Sequence, residues 1–310
     1  MGNPLIVVVN ASAGGKYDAA WAAQLTRKFA DAGISAKVVL AADGAAMIAA
    51  ARAAVTNGAR AIVAGGGDGT INTVASVVAK TDCALGVLAL GTLNHFAKDL
   101  GIPLGLDEAI AVIAAGVSTK VDTGEVNGKL FLNNSSLGLY PTIVRDREHQ
   151  QHRFGRGKWL AFASATISAL RRYPFLNARL KIEGVEHLRK TPFVFIGNNA
   201  YSMSGFTLGQ RETLTAGVLS LYVAQRTSRF GLLRLALRAL FGRLRQARDF
   251  DALLVREIVI ETRHRQMQVA TDGEVTRMST PLHYRIHPQA LRVLIPADGA
   301  AASAVRPREH

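Results

Sequence analysis

A cluster of glycines around one acid, placed between a strand and a helix, constrains this chain more than any other feature. Residues 61–72 have the sequence AIVAGGGDGTIN, in which apolar residues 61–64 predict a buried strand and a helical pattern begins at Ile71. A glycine turn in this setting presents backbone N–H groups to a phosphate and leaves no side chain in the way of a close ligand. The segment therefore predicts a phosphate-binding turn.

Asp68 places a carboxylate in the same turn and restricts the ligand further. A carboxylate beside phosphate oxygens repels them unless a cation lies between, which predicts a nucleotide with Mg²⁺. The alternative is an ordinary turn between a parallel strand and its helix. The segment has neither the Gly-Lys-Ser/Thr of a Walker A loop nor the Gly-x-Gly-x-x-Gly of a dinucleotide fingerprint.

Strand and helix patterns alternate through the first part of the chain. Apolar runs at residues 5–9, 34–40, 61–64 and 84–90 are separated by helical patterns at residues 18–32, 44–57 and 71–79. This alternation predicts βαβ units in a doubly wound parallel sheet. Ligands bind at the carboxyl ends of strands in such sheets, so the loops that follow Asn10, Gly65 and Leu90 are expected to converge on one edge.

A second, strand-rich domain is predicted to follow. Residues 119–126 and 129–137 form a hairpin pattern around Asn127-Gly128, a strong turn signal. Further strand patterns occur at residues 178–183, 191–196, 218–223, 251–255, 257–262 and 266–271, which together favour an antiparallel β-sandwich. We predict a nucleotide-binding α/β domain at 1–122 with a return strand at 288–296, a sandwich at 123–287 and a disordered tail at 297–310.

Three motifs, in this order, resemble those of the diacylglycerol kinase catalytic superfamily, which includes bacterial lipid kinases, sphingosine kinases and ceramide kinases. They are GGDGT at residues 66–70 followed by Asn72, GTLNHFA at residues 91–97, and DGE at residues 272–274. The resemblance runs from Val7 to about Pro296. It implies an NAD-kinase-like or diacylglycerol-kinase-like first domain and an ATP-dependent lipid kinase. The γ-phosphate would pass to the hydroxyl group of diacylglycerol or a similar lipid.

The resemblance also implies roles for individual residues. Asp272 or Glu274 would accept the proton of the lipid hydroxyl, and a plain Asp-Gly hairpin turn is the alternative for that segment. Asp68 would act in catalysis and engage Mg²⁺, joined by Asp122 unless Asp122 only caps a turn. The residues expected at ATP are Asn10, Ser12, Gly66, Gly67, Asp68, Gly69, Thr70, Asn72, Gly91, Thr92 and Asn94.

The sequence departs from the family pattern at two places. His95 stands where the family usually has Asp, and imidazole is a poor ligand for Mg²⁺, which prefers oxygen. His95 would therefore contact a phosphate or pack on its helix. Thr215 and Ala216 stand where the family typically has an acidic pair that helps to hold a structural divalent ion. We predict that this structural ion site is lost or weakened.

The formal net charge of +14 favours anionic partners, and the aromatic content of 6% is too low to suggest platforms for nucleic-acid bases. Two basic helical patterns occur at residues 159–170 with their flanks and at residues 226–248, and the second carries seven arginines and no acid. Such helices are predicted to lie in the headgroup region of an anionic membrane. The alternative is a surface helix whose leucines face the core.

No stretch reaches the ~18 apolar residues of a spanning helix, and the N-terminus lacks the basic region of a signal peptide. The single cysteine, Cys83, excludes an internal disulfide, fits a reducing compartment and is expected to pack in the core. We expect a cytoplasmic protein, bound peripherally to the inner face of the membrane. Its lipid substrate would lie at that surface, no nucleic acid would bind, and a homodimer is left open.

Two other functions stay open from the sequence. A soluble NAD-kinase-like enzyme would share GGDGT, but such enzymes normally have an Asn-Glu pair after it, and here Thr73 follows Asn72. A catalytically impaired protein that binds nucleotide or membrane is the second alternative, because acids are absent at His95 and Ala216.

Overall fold

The computed structural model describes residues 4–12, 17–138, 176–182, 184–204, 207–211, 213–224 and 250–297. The chain forms two compact units. Unit 1 comprises Met1–Thr123, Thr213–Thr215 and His287–His310, and unit 2 comprises Gly124–Glu212 and Ala216–Ile286. The predicted basic helices at 159–170 and 226–248, and the predicted disordered tail beyond residue 297, lie outside the described residues.

Unit 1 is built on a parallel sheet, which confirms the predicted fold class of this half. Four strands lie side by side in the order β2 (Ala36–Ala41), β1 (Leu5–Asn10), β3 (Ala61–Gly66) and β4 (Ala84–Ala89). The second half of the last strand, β18 (Leu282–Leu294), runs parallel beside β4. Among the described helices, none is long and apolar enough to cross a membrane. The elements of this unit are β1 (Leu5–Asn10), α1 (Ala19–Asp31), β2 (Ala36–Ala41), α2 (Gly44–Thr56), β3 (Ala61–Gly66), α3 (Asp68–Val78), β4 (Ala84–Ala89), α4 (His95–Asp99), α5 (Leu106–Ala115) and the start of β5 (Ser118–Val126).

The apolar strands and the helix caps explain why this sequence forms that sheet. Strand β1 has three consecutive valines, Val7 to Val9, and all of them are fully buried, as expected for a strand covered on both faces. Helices α1 and α2 each begin after an aspartate, Asp18 or Asp43, whose carboxylate accepts a first-turn N–H at 2.8 Å. The strands are thereby held as a layer whose carboxyl ends share one edge.

The glycine turn is shorter than predicted. Strand β3 continues through Gly65 and Gly66, which pair in register with the last residues of β4, and helix α3 begins at Asp68. Position 65 of this strand has no room for a side chain, because a Cβ atom on Gly65 would lie 2.9 Å from the Val9 side chain. Only Gly67 remains between strand and helix, and it is the N-cap of α3.

Unit 2 contains two large groups of antiparallel strands and the separate pair β11-β12, which confirms the predicted sandwich. One group has the order β14-β13-β10-β7-β16-β17, and the other joins β9, β8, β15 and the first half of β18, with β5 and β6 alongside. Buried residues of both groups, among them Leu137, Leu180 and Tyr284, form one core cluster. The strands are β6 (Lys129–Phe131), β7 (Asn134–Gly138), β8 (Leu176–Ile182), β9 (Val185–Thr191), β10 (Phe193–Asn198), β11 (Tyr201–Ser204), β12 (Thr207–Arg211), β13 (Leu219–Ala224), β14 (Phe250–Val255), β15 (Glu257–Thr262), β16 (Gln266–Thr271), β17 (Glu274–Ser279) and β18 (Leu282–Leu294).

The predicted hairpin is present, but its second strand is divided. Asn127 and Gly128 both have positive φ, 46° and 83°, as a two-residue hairpin turn requires. Residues 129–137, predicted as one strand, form β6 in one group of strands and β7 in the other. The division falls at Leu132 and Asn133, whose backbone N–H groups bind a side chain instead of a strand.

Cys83 is buried just before β4, with 4% of its surface exposed, and burial raises the pKa of its thiol to about 11. Because the thiolate is the reactive form, we expect a thiol reagent at pH 8 to label native protein about 100-fold more slowly than protein unfolded in guanidinium. Release of thionitrobenzoate from Ellman's reagent measures both rates. Equal rates would contradict the core position of Cys83.

Candidate active site

The N-terminus of α3 has no side-chain cap from the residues that the structure describes. Gly67 has no side chain to cap the helix, and the first N–H to bond back along it is that of Ile71, to the Gly67 carbonyl at 3.0 Å. The N–H groups of Asp68, Gly69 and Thr70 therefore make no bond within the helix. Orphan donors at the positive end of a helix dipole attract an anion, and phosphate suits them.

A second glycine turn lies directly against the first. A Cβ atom on Gly91 would be 2.4 Å from the Cα atom of Gly67 and 2.8 Å from Asn94 Oδ1, so only glycine fits at position 91. A Cβ atom built on Gly67 would lie 3.5 Å from the Cα atom of Gly91, which is an ordinary contact distance. The structure thus brings GGDGT and GTLNHFA together at the carboxyl edge of β3 and β4.

Replacing Gly91 with Ala should separate these two turns. The added methyl group meets backbone that has no free space, so we expect a loss of about 1–3 kcal/mol in stability and a clear rise in the Kd for ATP. Gly44→Ala is the matched control, because a Cβ there meets nothing within 4 Å. Thermal melting and calorimetric titration with ATP measure the two effects. An unchanged Kd in a folded Gly91→Ala variant would contradict nucleotide binding at this turn.

Asp68 joins the two turns through its carboxylate. Its Oδ2 accepts the backbone N–H of His95 at 3.2 Å, and its Oδ1 accepts that of Phe96 at 3.2 Å. Asp68 is therefore both the first residue of α3 and the cap of α4. The exposed side chain of His95 does not pack into its helix as Phe96 does, which leaves it available to solvent or to an anion.

Asn10 and Thr70 lie together beside this cradle. The Asn10 Nδ2 atom lies 3.5 Å from the Thr70 hydroxyl, and Asn10 Oδ1 accepts the N–H of Ser12 at 3.0 Å. The Ser12 hydroxyl donates to the Ala42 carbonyl at 2.6 Å, which ties the loop after β1 to the end of β2. The predicted residues on β1 and α3 are thus brought to one place.

The second turn presents a different set of side chains. Thr92 is exposed, whereas Asn94 is 4% exposed and has a left-handed backbone with φ of 51°. The Asn94 amide donates to the carbonyls of Ala89 and Gly91, at 3.3 and 2.9 Å. Asn94 therefore braces the loop from inside, while Asn72 lies on α3, half-buried, one turn from Asp68.

Asp122 has the geometry of the capping alternative. It is 1% exposed, its Oδ1 accepts the N–H of Gln289 at 2.8 Å, and its own N–H donates to the Leu214 carbonyl at 2.8 Å. Gln289 has a φ of 50°, so the carboxylate fixes a turn that leaves the regular strand geometry. A metal role for Asp122 stays a prediction, and its burial favours the structural role.

Within the described ranges no group of three or more His, Cys, Asp or Glu residues could hold a metal ion. Mg²⁺ does not need such a cage when a nucleotide is present, because one or two carboxylates and phosphate oxygens complete its ligand set. Asp68 fits that arrangement: each of its oxygens accepts one N–H at 3.2 Å and keeps a second lone pair.

In unit 2, the two predicted catalytic acids, Asp272 and Glu274, lie at the turn between β16 and β17, where their surroundings differ. Asp272 and Gly273 have φ of 47° and 88°, as in a two-residue hairpin turn. The Asp272 carboxylate accepts three backbone N–H groups, from Leu132 at 2.7 Å, Asn133 at 2.8 Å and Asn134 at 2.9 Å. These bonds occupy most of its acceptor capacity, so Asp272 is a clamp on residues 132–134.

Glu274 is the accessible acid of this turn. Its side chain is 59% exposed, and its Oε2 lies 3.3 Å from Lys129 Nζ, which also donates to the Thr276 hydroxyl at 2.8 Å. An exposed ion pair of this kind is weak and opens readily. Neither Lys129 nor Arg211 was identified from the sequence, because their partners lie far away along the chain. Lys129 and Glu274 are 145 residues apart, and Arg211 and Asn133 are 78 residues apart.

Two family models match this chain. The "Diacylglycerol kinase catalytic domain" matches residues 4–126, and the "YegS C-terminal NAD kinase beta sandwich-like domain" matches residues 142–295. The "Probable lipid kinase YegS-like" of Pseudomonas savastanoi pv. phaseolicola is 30% identical over 249 residues, which are 77% of this chain and 77% of that protein. The "Probable lipid kinase YegS" of Escherichia fergusonii is 32% identical over 167 residues, 52% of this chain and 54% of that protein, so the match spans about half of that relative.

The fold has solved counterparts. A crystal structure of a diacylglycerol kinase from Bacillus anthracis str. Sterne superimposes with a TM-score of 0.68 at 18% sequence identity, covering 95% of this chain and 97% of that one. At such identity the likeness concerns the fold, a parallel-sheet half followed by an antiparallel sandwich.

Proposed function

Because this chain belongs to the family of bacterial YegS-like probable lipid kinases, we propose that it transfers the γ-phosphate of ATP to a lipid hydroxyl. Diacylglycerol or a similar lipid is the proposed acceptor. The observation that carries the proposal is the contact between the two glycine turns, with Asp68 joined to both and the N–H groups of α3 uncapped. Such a cradle suits a triphosphate better than it suits any neutral ligand.

Unit 1 supplies the nucleotide site in this proposal. The first-turn N–H groups of α3 bind phosphate oxygens, and Gly66, Gly67 and Gly69 allow the nucleotide to come close to the backbone. Asn10 and Thr70, which lie 3.5 Å apart, orient the phosphates from the side. Asp68 would hold magnesium, and the ion would supply positive charge against the phosphates during transfer.

Unit 2 supplies the group that orients the acceptor. Glu274 is proposed to accept a hydrogen bond from the lipid hydroxyl, since its carboxylate is exposed and its ion pair with Lys129 is weak. Asp272 is proposed to fix the turn that carries Glu274, since its oxygens already bind three N–H groups. Phosphoryl transfer has a loose transition state, so Glu274 aligns the nucleophile and removes its proton late.

Peripheral binding to the inner face of the membrane remains part of the proposal. The net charge of +14 supports attraction to anionic lipid, and residues 226–248 are the proposed contact. Sedimentation with vesicles containing anionic lipid at low salt tests this step. Replacing the arginines of that segment with Gln should reduce the bound fraction, and an unchanged fraction would exclude the segment.

The decisive experiment is incubation of the purified protein with labelled ATP, Mg²⁺ and a mixed lipid extract. Thin-layer chromatography should show one labelled lipid, formed only with lipid present. A parallel reaction with NAD in place of lipid tests the soluble NAD-kinase alternative. Label on NAD, or no label on any lipid from a folded protein, would overturn the proposed function.

A further inference from the structure

A buried arginine lies behind the segment that binds Asp272. Arg211, at the end of β12, is 6% exposed. Its Nη1 donates to the Leu132 carbonyl at 2.6 Å, and its Nη2 donates to Asn133 Oδ1 at 2.9 Å. The guanidinium carbon also lies 5.6 Å from the centre of the Tyr201 ring. A guanidinium keeps its charge when buried, so carbonyl oxygens at these distances are what makes the position tolerable.

The peptide groups of this segment connect Arg211 to Asp272. In the peptide between Leu132 and Asn133, the carbonyl accepts from Arg211 and the N–H donates to Asp272 Oδ1 at 2.8 Å. In the next peptide, the Asn133 carbonyl accepts the Tyr201 hydroxyl at 2.9 Å, and the Asn134 N–H donates to Asp272 at 2.9 Å. Hydrogen bonds in such a chain polarise one another, so a cation at one end strengthens the bonds to the anion at the other.

The acidic turn depends on these bonds for its conformation. Asp272 has a φ of 47°, a left-handed backbone that a residue with a side chain adopts at some cost. Its carboxylate bonds to residues 132–134 offset that cost and fix the direction in which β17 leaves the turn. Glu274 is the first residue of β17, so any loosening of the Asp272 clamp moves the Glu274 carboxylate.

We propose that Arg211 is a positioning residue for the acidic turn, acting through the peptide groups of residues 132–134 on Asp272 and thereby on Glu274. The kinetic part of this inference rests on the proposed function, because it assigns Arg211 to the site that orients the lipid hydroxyl. The conformational part does not, because it concerns the hydrogen bonds between residues 132–134 and Asp272.

Arg211→Met tests the kinetic part, since methionine keeps an apolar stem but has no charge and no donor. We expect kcat to fall about 30-fold, as misplacement of a reacting group by a fraction of an ångström does, with the KM for ATP within about twofold of the original. Arg277→Met, an exposed arginine on β17 of the same hairpin, should match the unaltered protein. Arg211→Lys should recover part of kcat. An unaltered kcat, or a loss explained by a higher KM for ATP, would overturn the inference.

A double-mutant cycle with Asp272→Asn separates positioning from a general structural role. If Arg211 acts through Asp272, the losses in kcat are not additive, and the double variant is no slower than the slower single variant by more than about twofold. Additive losses would show that Arg211 acts elsewhere.

Amide hydrogen exchange tests the conformational part without any enzymatic assay. Arg211→Met should speed exchange at Asn133 and Asn134, while Ile196 and Leu221 in the β10–β13 ladder keep their rates. Unchanged rates at Asn133 and Asn134, or equal acceleration of both sets, would contradict a local action of Arg211. Should Arg211→Met fail to fold, Arg211→Lys carries the same comparison. A protein that transfers no phosphate but shows the local acceleration would refute the proposed function and keep the link from Arg211 to Asp272.

Discussion

Replacing Asp68 with Asn should lower the rate of lipid phosphorylation on the order of 1000-fold, the size of effect seen when a preorganised electrostatic group is lost from an active site. The carboxamide keeps the shape of the side chain and one oxygen that can accept an N–H from α4. It removes the charge that magnesium requires and turns one oxygen into a donor facing the N–H of His95 or Phe96. Initial rates with labelled ATP at saturating lipid measure the loss.

Asp82→Asn is the control for this change. Asp82 is an exposed aspartate of unit 1 just before β4, at the amino edge of the sheet, whereas Asp68 lies at the carboxyl edge. The same change in charge there should leave the rate within about twofold, because exposed charges contribute little to function at a distance through water. Equal losses in both variants would indicate a general effect of net charge.

Magnesium dependence and thermal melting distinguish metal binding by Asp68 from its capping of α4. If it holds the ion, Asp68→Asn should need a higher Mg²⁺ concentration for half-maximal rate. If it only caps α4, the melting temperature should fall and the magnesium dependence should not change. A folded Asp68→Asn variant with full activity would remove Asp68 from the chemistry altogether.

Replacing Glu274 with Gln should lower kcat about 100-fold, near the lower end of the range for a positioned acid or base. The reduction in kcat is expected to be smaller than for Asp68, because little proton transfer to Glu274 has occurred in a loose transition state. Since Glu274 belongs to the acceptor side of the proposal, the KM for ATP should not change. A steady-state series in ATP at fixed lipid, repeated in lipid at fixed ATP, gives both constants.

Glu257→Gln is the structurally matched control for Glu274→Gln. Glu257 is 65% exposed and lies 3.4 Å from Arg285, while Glu274 is 59% exposed and lies 3.3 Å from Lys129. Both changes therefore break one exposed ion pair on a strand of unit 2, a loss of less than about 1 kcal/mol. Only Glu274→Gln should affect kcat, and an equal effect of both would remove Glu274 from the site.

Asp272→Asn should differ from Glu274→Gln in stability. Its carboxylate binds three N–H groups within 2.9 Å, and hydrogen bonds to a charged acceptor are strong, so we expect a loss of about 2–3 kcal/mol in unfolding free energy. Chemical denaturation at constant pH measures the difference. A variant as stable as the unaltered protein would mean that the clamp on residues 132–134 is unimportant.

Local patterns in the sequence were sufficient for the architecture. The apolar run at residues 5–9 predicted strand β1, and Asn127-Gly128 predicted the hairpin at which β5 turns into β6. These features depend on neighbours in sequence, so they are visible without the fold. The predicted end of strand β3 at residue 64 was wrong, because Gly65 and Gly66 also pair with β4. Single-sequence patterns do not contain this contact.

The details of the candidate site depend on distant partners. Asp272 looks like any turn residue until Leu132, Asn133 and Asn134 are placed around it, and the same contacts divide one predicted strand into β6 and β7. Strand β9 was missed because its charged, exposed residues resemble a loop. The two motifs of unit 1 lie next to each other in the structure, but the sequence did not assign a task to each acid.

The last strand has a practical consequence for anyone who wishes to express half of this protein. Residues of β18 before His287 pair with β15, and those after it pair with β4, so the gene encodes unit 1 in separated pieces. A protein truncated after Thr123 would lack Leu291, Val293 and Leu294, so β4 would become an exposed edge strand and promote aggregation. A shortened protein in which a glycine-serine linker joins residue 123 to residue 287 would cover that edge again.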